Sequence, residues 1–429
     1  MDIPNECAVL IVGGGPGGSY TASVLAREGI STVLLEADTF PRYHIGESLL
    51  PSTREFLQFI DAYDKFEAHG FRHKNGASFS YNSKPAAYTN FLAFGGHAWN
   101  AIRSESDHLL FEHAKTCGAR VYDQTKVDCI EFRSISGLNG HGGSGSPSNP
   151  AINLGRPFSA SWSRKDKTSG SIKFEYLIDA SDGSGWAWFI PLHNGTTSVG
   201  VVMEQSSFTA KKKAMKNPSS RGFLLEHIKH APGIADLVNA TLVSEVKSAT
   251  DWSYSASTYA APYIRIALYP LQQVSVPCSK GDCTEETAAG WHSEKIREAY
   301  TRFLLVVTSA YAQIREQERP VLNEYDEKNF DRAFSFFRPI IQRTVEAAGT
   351  KLTREEVTQS VDFCMQVIRK VSGAVDGQTS GMEDHYGEQT CDRIKKAELK
   401  AGLDNFSADA VLGMTVNLQR GALGLVKVA

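Results

Sequence analysis

The first forty residues alternate between apolar runs and a glycine-rich turn. The run AVLIV at 8–12 is continuous, as is typical of a strand buried in a parallel sheet. The turn GGGPGG follows it, and then an amphipathic stretch that stops at Gly29 predicts a helix. A second apolar run, TVLL, leads directly into Glu36. The order strand, turn, helix, strand predicts the opening unit of a Rossmann-like α/β module.

The glycine turn has the spacing of a dinucleotide-binding loop. Gly13, Gly15 and Gly18 form the pattern G-x-G-x-x-G, and Glu36 follows at the end of the next predicted strand. Glycines at these positions let the backbone approach a pyrophosphate at the helix N-terminus, and the acid binds ribose hydroxyls. A glycine-rich turn without a ligand is the alternative, but the complete order of elements favours dinucleotide binding.

Helical patterns dominate two later regions of the chain. The phrase STREFLQFIDAYDKFEAHG at 52–70 predicts one helix, and RSESDHLLFEHAKT at 103–116 predicts another that Ser104 and Asp107 would cap. Arg42 precedes the first of these predicted helices, and Arg103 begins the second. The segment between the two arginines favours FAD as the dinucleotide. Taken alone, each arginine would be interpreted as an ordinary surface charge. From residue 292 onward, long apolar stripes at helical spacing predict a helical region.

The net charge and the cysteine positions argue against several classes of partner and cofactor. The net charge of −3 gives no reason to expect nucleic acid or an anionic membrane as a partner, and no apolar run approaches the length of a membrane span. The N-terminal apolar run lacks the basic flank of a signal peptide, so we expect a cytoplasmic protein. The seven cysteines are scattered, and the closest pair, Cys278 and Cys283, lacks metal-site spacing. We therefore expect reduced thiols and no metal centre.

Four phrases together resemble the flavin-dependent halogenases, and among these the fungal group that chlorinates phenolic polyketides. They are GGGPGG, FPRYHIGESLLPS, WNAIRSESD and GWAWFIPLHNGTTSVGVV, and the resemblance extends over most of the chain. The resemblance implies an FAD-binding Rossmann-like module with an interleaved substrate-binding β-sheet over 1–283, and a C-terminal helical region over 284–429. It also implies that the residues contacting FAD are Gly13, Gly15, Gly18, Glu36, Arg42, Arg103 and Asp179.

The resemblance implies a catalytic lysine and a reaction. Reduced FAD, delivered by a separate flavin reductase or by free diffusion, would use O2 and chloride to make hypochlorous acid. Lys74 would capture that acid, by hydrogen bonding or as a chloramine, and chlorinate an electron-rich phenolic ring of a polyketide. His73 is a rival of lower rank. On residue type alone, a lone lysine or histidine is more ordinarily a solvated surface group.

The most specific phrase is the motif Trp186-x-Trp188-x-Ile190-Pro191. On a strand, residues two apart share a face, so the two tryptophans would form a broad aromatic surface. The resemblance implies that this wall keeps the substrate away from the activated flavin. Without the resemblance, an aromatic core strand would be the more ordinary explanation.

The family pattern breaks at two places. Only DGSG, at 182–185, separates the strand that ends at Asp179 from the tryptophan motif, where the family has a longer segment. After residue 266 the family's Asp-Pro and Ser-Ser-Gly turn is absent, although Gly281 and Asp282 imitate the motif that precedes it. We therefore predict two missing internal segments and assign no halide ligand.

Other expectations concern the middle of the chain and the function. Residues 134–170 begin with a Gly- and Ser-rich stretch and are predicted to form a flexible loop. A flavin-dependent monooxygenase of aromatic substrates and an inactive FAD-binding remnant both stay open as alternatives to a halogenase.

Overall fold

The computed structural model describes the N-terminal half of the chain most completely. The described residues are 2–79, 87–90, 96–133, 156–179, 188–200, 212–213, 219–228, 243–246, 284, 287–288, 290–292, 294–295, 410–417 and 419–428. The helices are α1 (Pro16–Arg27), α2 (Thr53–Phe59), α3 (Tyr63–His69), α4 (Arg103–Thr116) and α5 (Ser220–His227). The strands are β1 (Glu6–Val12), β2 (Thr32–Leu35), β3 (Arg72–Lys74), β4 (Gly76–Phe79), β5 (Ala87–Asn90), β6 (Ala98–Asn100), β7 (Arg120–Tyr122), β8 (Thr125–Arg133), β9 (Arg156–Arg164), β10 (Ser169–Asp179), β11 (Trp188–Pro191), β12 (Thr197–Gly200), β13 (Met414–Asn417) and β14 (Gly424–Lys427).

The largest sheet in the described part of the chain has six strands, in the order β7-β2-β1-β10-β9-β8. Strands β7, β2, β1 and β10 are parallel to one another, whereas β9 runs antiparallel to both β10 and β8. The predicted unit β1–α1–β2 is confirmed, and α1 ends just before Gly29, whose φ of 79° is the left-handed conformation common after a helix. The Rossmann-like α/β prediction is thus correct.

Alternate residues of β1 and β2 serve two separate apolar cores, as expected for a sheet covered on both faces. Val9, Ile11 and Leu34 point into the larger core, with α1, α4 and the fully buried Trp99. Leu10 and Val33 point to the other face. Because both faces are buried, these two strands read as continuous apolar runs in the sequence.

The single helix predicted at 52–70 is wrong, because the chain forms two short helices there. The break falls at Asp61, whose φ of 62° is left-handed. Ile60 and Ala62 on either side are fully buried. Arg27 holds the break, since its guanidinium donates to the Phe59 carbonyl at 2.5 Å and lies 3.2 Å from the Asp61 carboxylate. Tertiary contacts override a continuous helical pattern here.

The loop predicted at 134–170 is also wrong over its second half. Residues 156–164 form β9, and β10 begins at Ser169, so the two strands make an antiparallel hairpin. The hairpin turns at Lys167, whose φ is 69°. The serine-rich composition of β9 is typical of a loop, so the sequence did not predict a strand there. Ala160 of β9 is fully buried. The Gly- and Ser-rich stretch at 134–150 lies outside the described residues.

The C-terminal part is not entirely helical. Residues 287–288, 290–292 and 294–295 are helical, but the chain also forms the antiparallel hairpin β13–β14. This hairpin docks on the N-terminal module, because Leu423 is buried in the larger core and the Gly421 N–H donates to the Glu28 carboxylate at 2.9 Å. The helices predicted between 296 and 409, and the boundary proposed at 283, lie outside the described residues. No helix in the described part is long and apolar enough to cross a membrane.

Candidate cofactor and catalytic site

The glycine turn is shaped by the close approach of α1 to β1. A Cβ on Gly18 would collide with the Gly13 carbonyl oxygen, so no larger residue fits there. Gly13 has a φ of 101° and donates its N–H to Leu35 at 2.8 Å. Gly15 is the N-cap of α1, and no side chain caps the helix. The N-terminus of α1 therefore has the form that accepts a phosphate group.

Glu36 is fixed at the mouth of this turn by backbone hydrogen bonds. Its Oε2 accepts from the Gly14 N–H at 2.7 Å, and its Oε1 accepts from the Asp38 N–H at 2.9 Å. The residue is nearly buried, with 7% of its surface exposed. The carboxylate thus lies where the sequence places it, at the end of β2 and against the glycine turn.

Arg42 and Arg103 converge on one buried carboxylate, that of Asp107. Arg103 donates to Asp107 through Nε at 2.8 Å and Nη2 at 3.1 Å, and Arg42 donates through Nη1 at 3.3 Å. Asp107 is fully buried. Arg42 Nε also lies 3.5 Å from Glu36 Oε2, which joins the network to the glycine turn.

The capping box expected from Ser104 and Asp107 is wrong. The N-cap of α4 is Ile102, and no side-chain hydrogen bond caps the helix. Asp107 instead binds Arg103 one turn earlier, and the i, i+4 spacing of these two residues was the signal that sequence analysis overlooked. Charge-assisted hydrogen bonds of this kind are roughly twice as strong as neutral ones. The buried ion pair between Arg103 and Asp107 therefore forms in preference to a hydrogen bond from the Asp107 side chain to the helix N-terminus.

The described residues fit a dinucleotide such as FAD. They combine a turn that has no room for a Cβ at Gly18, an uncapped helix N-terminus and a carboxylate at the end of the second strand. Asp179 ends β10 and pairs in register with Val12, so its backbone lies beside the start of the glycine turn. Gly13, Gly15, Gly18, Glu36 and Arg42 are brought together, and Arg103 joins them through Asp107.

Lys74 lies at the end of β3 in a partly buried position. Its Nζ donates to the Leu49 carbonyl at 3.1 Å. Burial lowers the pKa of this amine to about 8, from 10.5. In β6, Ala98 pairs with Lys74, and the Trp99 carbonyl accepts from the Leu49 N–H at 2.9 Å. The lysine therefore reaches across β6 to the segment on its other edge.

The tryptophan-motif strand is attached to that same strand β6. Trp188 begins β11, which pairs with β12, and Trp186 lies outside the described residues. The Asn100 side chain donates through Nδ2 to the Pro191 carbonyl at 3.1 Å. Ile190 and Pro191 are half-buried. Asn100, which sequence analysis did not single out, connects the motif strand to the strand that pairs with Lys74.

His73 points away from Lys74, because neighbouring residues of a strand face opposite sides. Its ring stacks on His97 with centroids 3.7 Å apart, and the Nε2 atoms of both rings lie within 2.9 Å of the Glu67 carboxylate. Burial raises the pKa of Glu67, but hydrogen bonds from His73 and His97 outweigh it and the net shift is downward. His73 is therefore held in a hydrogen-bonded cluster with His97 and Glu67, which favours Lys74 as the candidate catalytic group.

A pair of glycine variants separates cofactor binding from folding. A Cβ on Gly15 would meet only Arg42 Nη2, at 3.4 Å, so we expect the Gly15→Val protein to fold. We expect this variant to lose retained FAD, because the side chain occupies the approach to the pyrophosphate. Flavin absorbance per protein and far-UV circular dichroism measure the two effects.

Gly18→Val is the matched comparison for that experiment. Its side chain would strike the Gly13 backbone, so we expect lost folding as well as lost flavin. Full flavin retention by a folded Gly15→Val protein would remove the dinucleotide site from the glycine turn.

Comparison with known sequences agrees with this geometry. Residues 6–133 match the family described as FAD binding domain. The chain is 40% identical to the sulochrin halogenase of Aspergillus terreus over 521 aligned positions, which cover 99% of this chain and 94% of that protein. It is also 40% identical to a flavin-dependent halogenase of Acremonium egyptiacum, over 99% of this chain and 93% of that one.

Both alignments are longer than the 429 residues of the chain, so they contain gaps within it. The chain is thus shorter than these relatives, as the two breaks in its pattern predict.

Solved structures show the same fold. The myxobacterial chondrochloren halogenase CndH has a TM-score of 0.61 at 18% identity, over 85% of this chain and 98% of that one. The flavin-dependent halogenase CmlS has a TM-score of 0.63 at 18% identity, over 98% and 84%.

Proposed function

Because this chain belongs to the flavin-dependent halogenases, we propose that it chlorinates an electron-rich phenolic ring of a polyketide, with Lys74 as the group that transfers chlorine. The observation that carries the proposal is the shared strand β6, which pairs with Lys74 and binds the tryptophan-motif strand through Asn100. The relative named for sulochrin supports a phenolic polyketide product of secondary metabolism as the substrate class.

The cofactor is FAD, and the N-terminal residues would hold it. We assign the pyrophosphate to the turn Gly13–Gly18, where backbone N–H groups face the ligand, and the ribose hydroxyls to Glu36. Arg42 lies between Glu36 and Asp107 and keeps the Glu36 carboxylate in place. Bound and reduced FAD would supply the electrons that activate O2, and the activated oxygen would oxidise chloride to hypochlorous acid.

Lys74 has the properties required to accept the chlorine. Its pKa of about 8 leaves part of the amine neutral near neutral pH, and only the neutral amine has a lone pair. That lone pair attacks the chlorine of hypochlorous acid, so an N–Cl bond forms and the O–Cl bond breaks. The departing hydroxide takes a proton from the amine and leaves as water.

The second half of the reaction restores the lysine. A carbon of the phenolic ring attacks the chlorine, and the N–Cl bond breaks with its electrons returning to Lys74. The ring loses a proton, which the amine takes up. The Leu49 carbonyl, 3.1 Å from Nζ, holds the amine in one position through both steps.

The tryptophan-motif strand would exclude the substrate from the flavin. We assign this role to Trp186, Trp188, Ile190 and Pro191. The hydrogen bond from Asn100 to Pro191 supports it, because it fixes the end of β11 relative to Lys74. A wall fixed to the strand beside Lys74 would let the small oxidant pass along the protein while the aromatic substrate stays at the lysine.

Reconstitution tests this function. The assay contains the purified chain, FAD, NADPH, a separate flavin reductase, O2, chloride and a phenolic polyketide such as sulochrin. We expect a chlorinated product that requires both chloride and reductase. A hydroxylated product, with NADPH oxidation stimulated by substrate in the absence of reductase, would instead identify a flavin monooxygenase.

A further inference from the structure

Two clusters of histidine and glutamate occur among the described residues, and one of them includes His193 of the tryptophan-motif hairpin. The His69 cluster consists of His69, Glu105 and His193, and the His73 cluster consists of Glu67, His73 and His97. In each, one ligand atom per residue lies within 4.8 Å of the other two. The two clusters have the same composition, so their geometry decides what each can bind.

The His69 cluster converges on a single point. Glu105 Oε2 lies 2.8 Å from His69 Nε2 and 3.3 Å from His193 Nε2. The two rings are inclined at 67°, and Phe71 packs against both of them. Ligand atoms around a tetrahedral zinc ion lie about 3.3 Å apart, given metal–ligand distances of about 2.0–2.2 Å. The separation between Glu105 and His193 matches this value, and the separation between Glu105 and His69 is at hydrogen-bond length, about 0.5 Å shorter.

The His73 cluster has a different geometry. Its two imidazoles are stacked at 3.7 Å with an interplanar angle of 18°, and they approach different oxygens of Glu67. Nearly parallel rings direct their nitrogen lone pairs side by side rather than toward one point. This cluster suits hydrogen bonding to a carboxylate, and it provides an internal control.

We propose that His69, Glu105 and His193 form a binding site for a divalent transition-metal ion of the zinc type. Two imidazoles and one carboxylate are a donor set that such ions accept, with a water molecule as the fourth ligand. His193 Nε2 is the nitrogen that would bind the ion, because it lies 3.3 Å from Glu105 Oε2, whereas Nδ1 is buried without a hydrogen-bond partner among the described residues.

The site would connect three elements that carry or adjoin the proposed catalytic and cofactor-binding residues. His69 ends α3, and Glu105 lies in the first turn of α4. His193 lies two residues after Pro191, the last residue of β11. A bound ion would therefore fasten the β11–β12 hairpin to the helices. The sequence did not reveal this site, because His69 and Glu105 are 36 residues apart and His193 is on a separate hairpin.

Cobalt binding tests the proposal independently of chlorination. The full chain is prepared without a histidine tag and titrated with Co²⁺ near pH 7.5, and visible d–d absorption is recorded. We expect one equivalent of Co²⁺ with bands typical of four-coordinate cobalt, displaced by Zn²⁺. Zinc should also slow amide hydrogen exchange in residues 188–200.

Matched variants decide the location of the ion. His193→Ala should weaken Co²⁺ binding at least about tenfold, whereas His97→Ala should leave it unchanged. If His193→Ala fails to fold by circular dichroism, Glu105→Gln keeps the side-chain shape and removes the charged ligand, with the same expected loss. Absence of Co²⁺ bands in the wild type, full binding by a folded His193→Ala or Glu105→Gln variant, or loss in His97→Ala would each overturn the proposal.

Discussion

Lys74→Ala is expected to abolish chlorination while oxygen still reoxidises the reduced flavin. The side chain transfers chlorine to the ring but does not take part in the reaction of flavin with O2. Positioned proton-transfer groups contribute about 100- to 10,000-fold, so we expect at least a 100-fold loss of chlorinated product. Product is measured by chromatography, and flavin reoxidation is followed by its absorbance in the same samples. If the 429-residue chain is inactive, the variant is made in a protein in which the missing segments are restored.

Lys126→Ala is a suitable control for this experiment. The Lys126 side chain is 70% exposed and lies 3.6 Å from Asp128 on β8, so its removal should not alter the reaction. Normal chlorination by Lys74→Ala would show that another group transfers the chlorine.

The pH dependence of chlorination provides a second readout of the same group. Burial lowers the pKa of Lys74 to about 8, so the amine is mainly protonated below pH 8 and mainly neutral above it. If the neutral amine captures chlorine, single-turnover chlorination should rise as the pH increases through about 8. A rate that does not rise over this range would contradict capture of chlorine by the neutral amine.

Local patterns predicted the cofactor half of the molecule well. The strand, glycine turn, helix and following acid are contiguous, and each is specified by short-range sterics or periodicity. Gly18 is a clear case, because the collision with Gly13 that excludes a Cβ involves residues only five apart. Lys74 is different, because its assignment came from resemblance to a family and the structure adds its burial and its contact with Leu49.

The features that sequence analysis missed depend on contacts distant along the chain. Asn100 reaches a carbonyl 91 residues away, and Arg42 reaches a carboxylate 65 residues away. The break between α2 and α3 is stabilised by Arg27 from another helix. Hydrophobic periodicity reports on the burial of each position and carries no information about which distant polar group will meet it. Strand β9 was missed for a related reason, since serine-rich composition resembles a loop until a neighbouring strand pairs with it.

The first missing segment adjoins the six-stranded sheet. Strand β10 pairs with β1 as far as Asp179, but its pairing with β9 stops at Lys173. Within the described chain, no strand pairs with residues 174–179 on that side. The first break in the family pattern follows immediately, at 182–185, so we propose that the missing segment would extend the sheet from this region. Buried backbone groups without partners cost on the order of 1–3 kcal/mol each, against a net domain stability of about 5–15 kcal/mol.

Restoring both segments is expected to raise chlorination at least about tenfold, which corresponds to about 1.4 kcal/mol in the activation barrier. The second segment matters most for the chemistry, because the family's turn beside the halide falls there and this chain offers no identified residue to hold chloride. The restored protein takes the inserts from the sulochrin halogenase at the gaps in the alignment. A control protein carries Gly-Ser inserts of equal length, which restore chain length without restoring the residues. Each protein is supplied with reductase and chloride, and chlorinated phenol is measured per flavin reduced. Equal yields from the 429-residue chain and the restored protein would show that the breaks leave the active site intact.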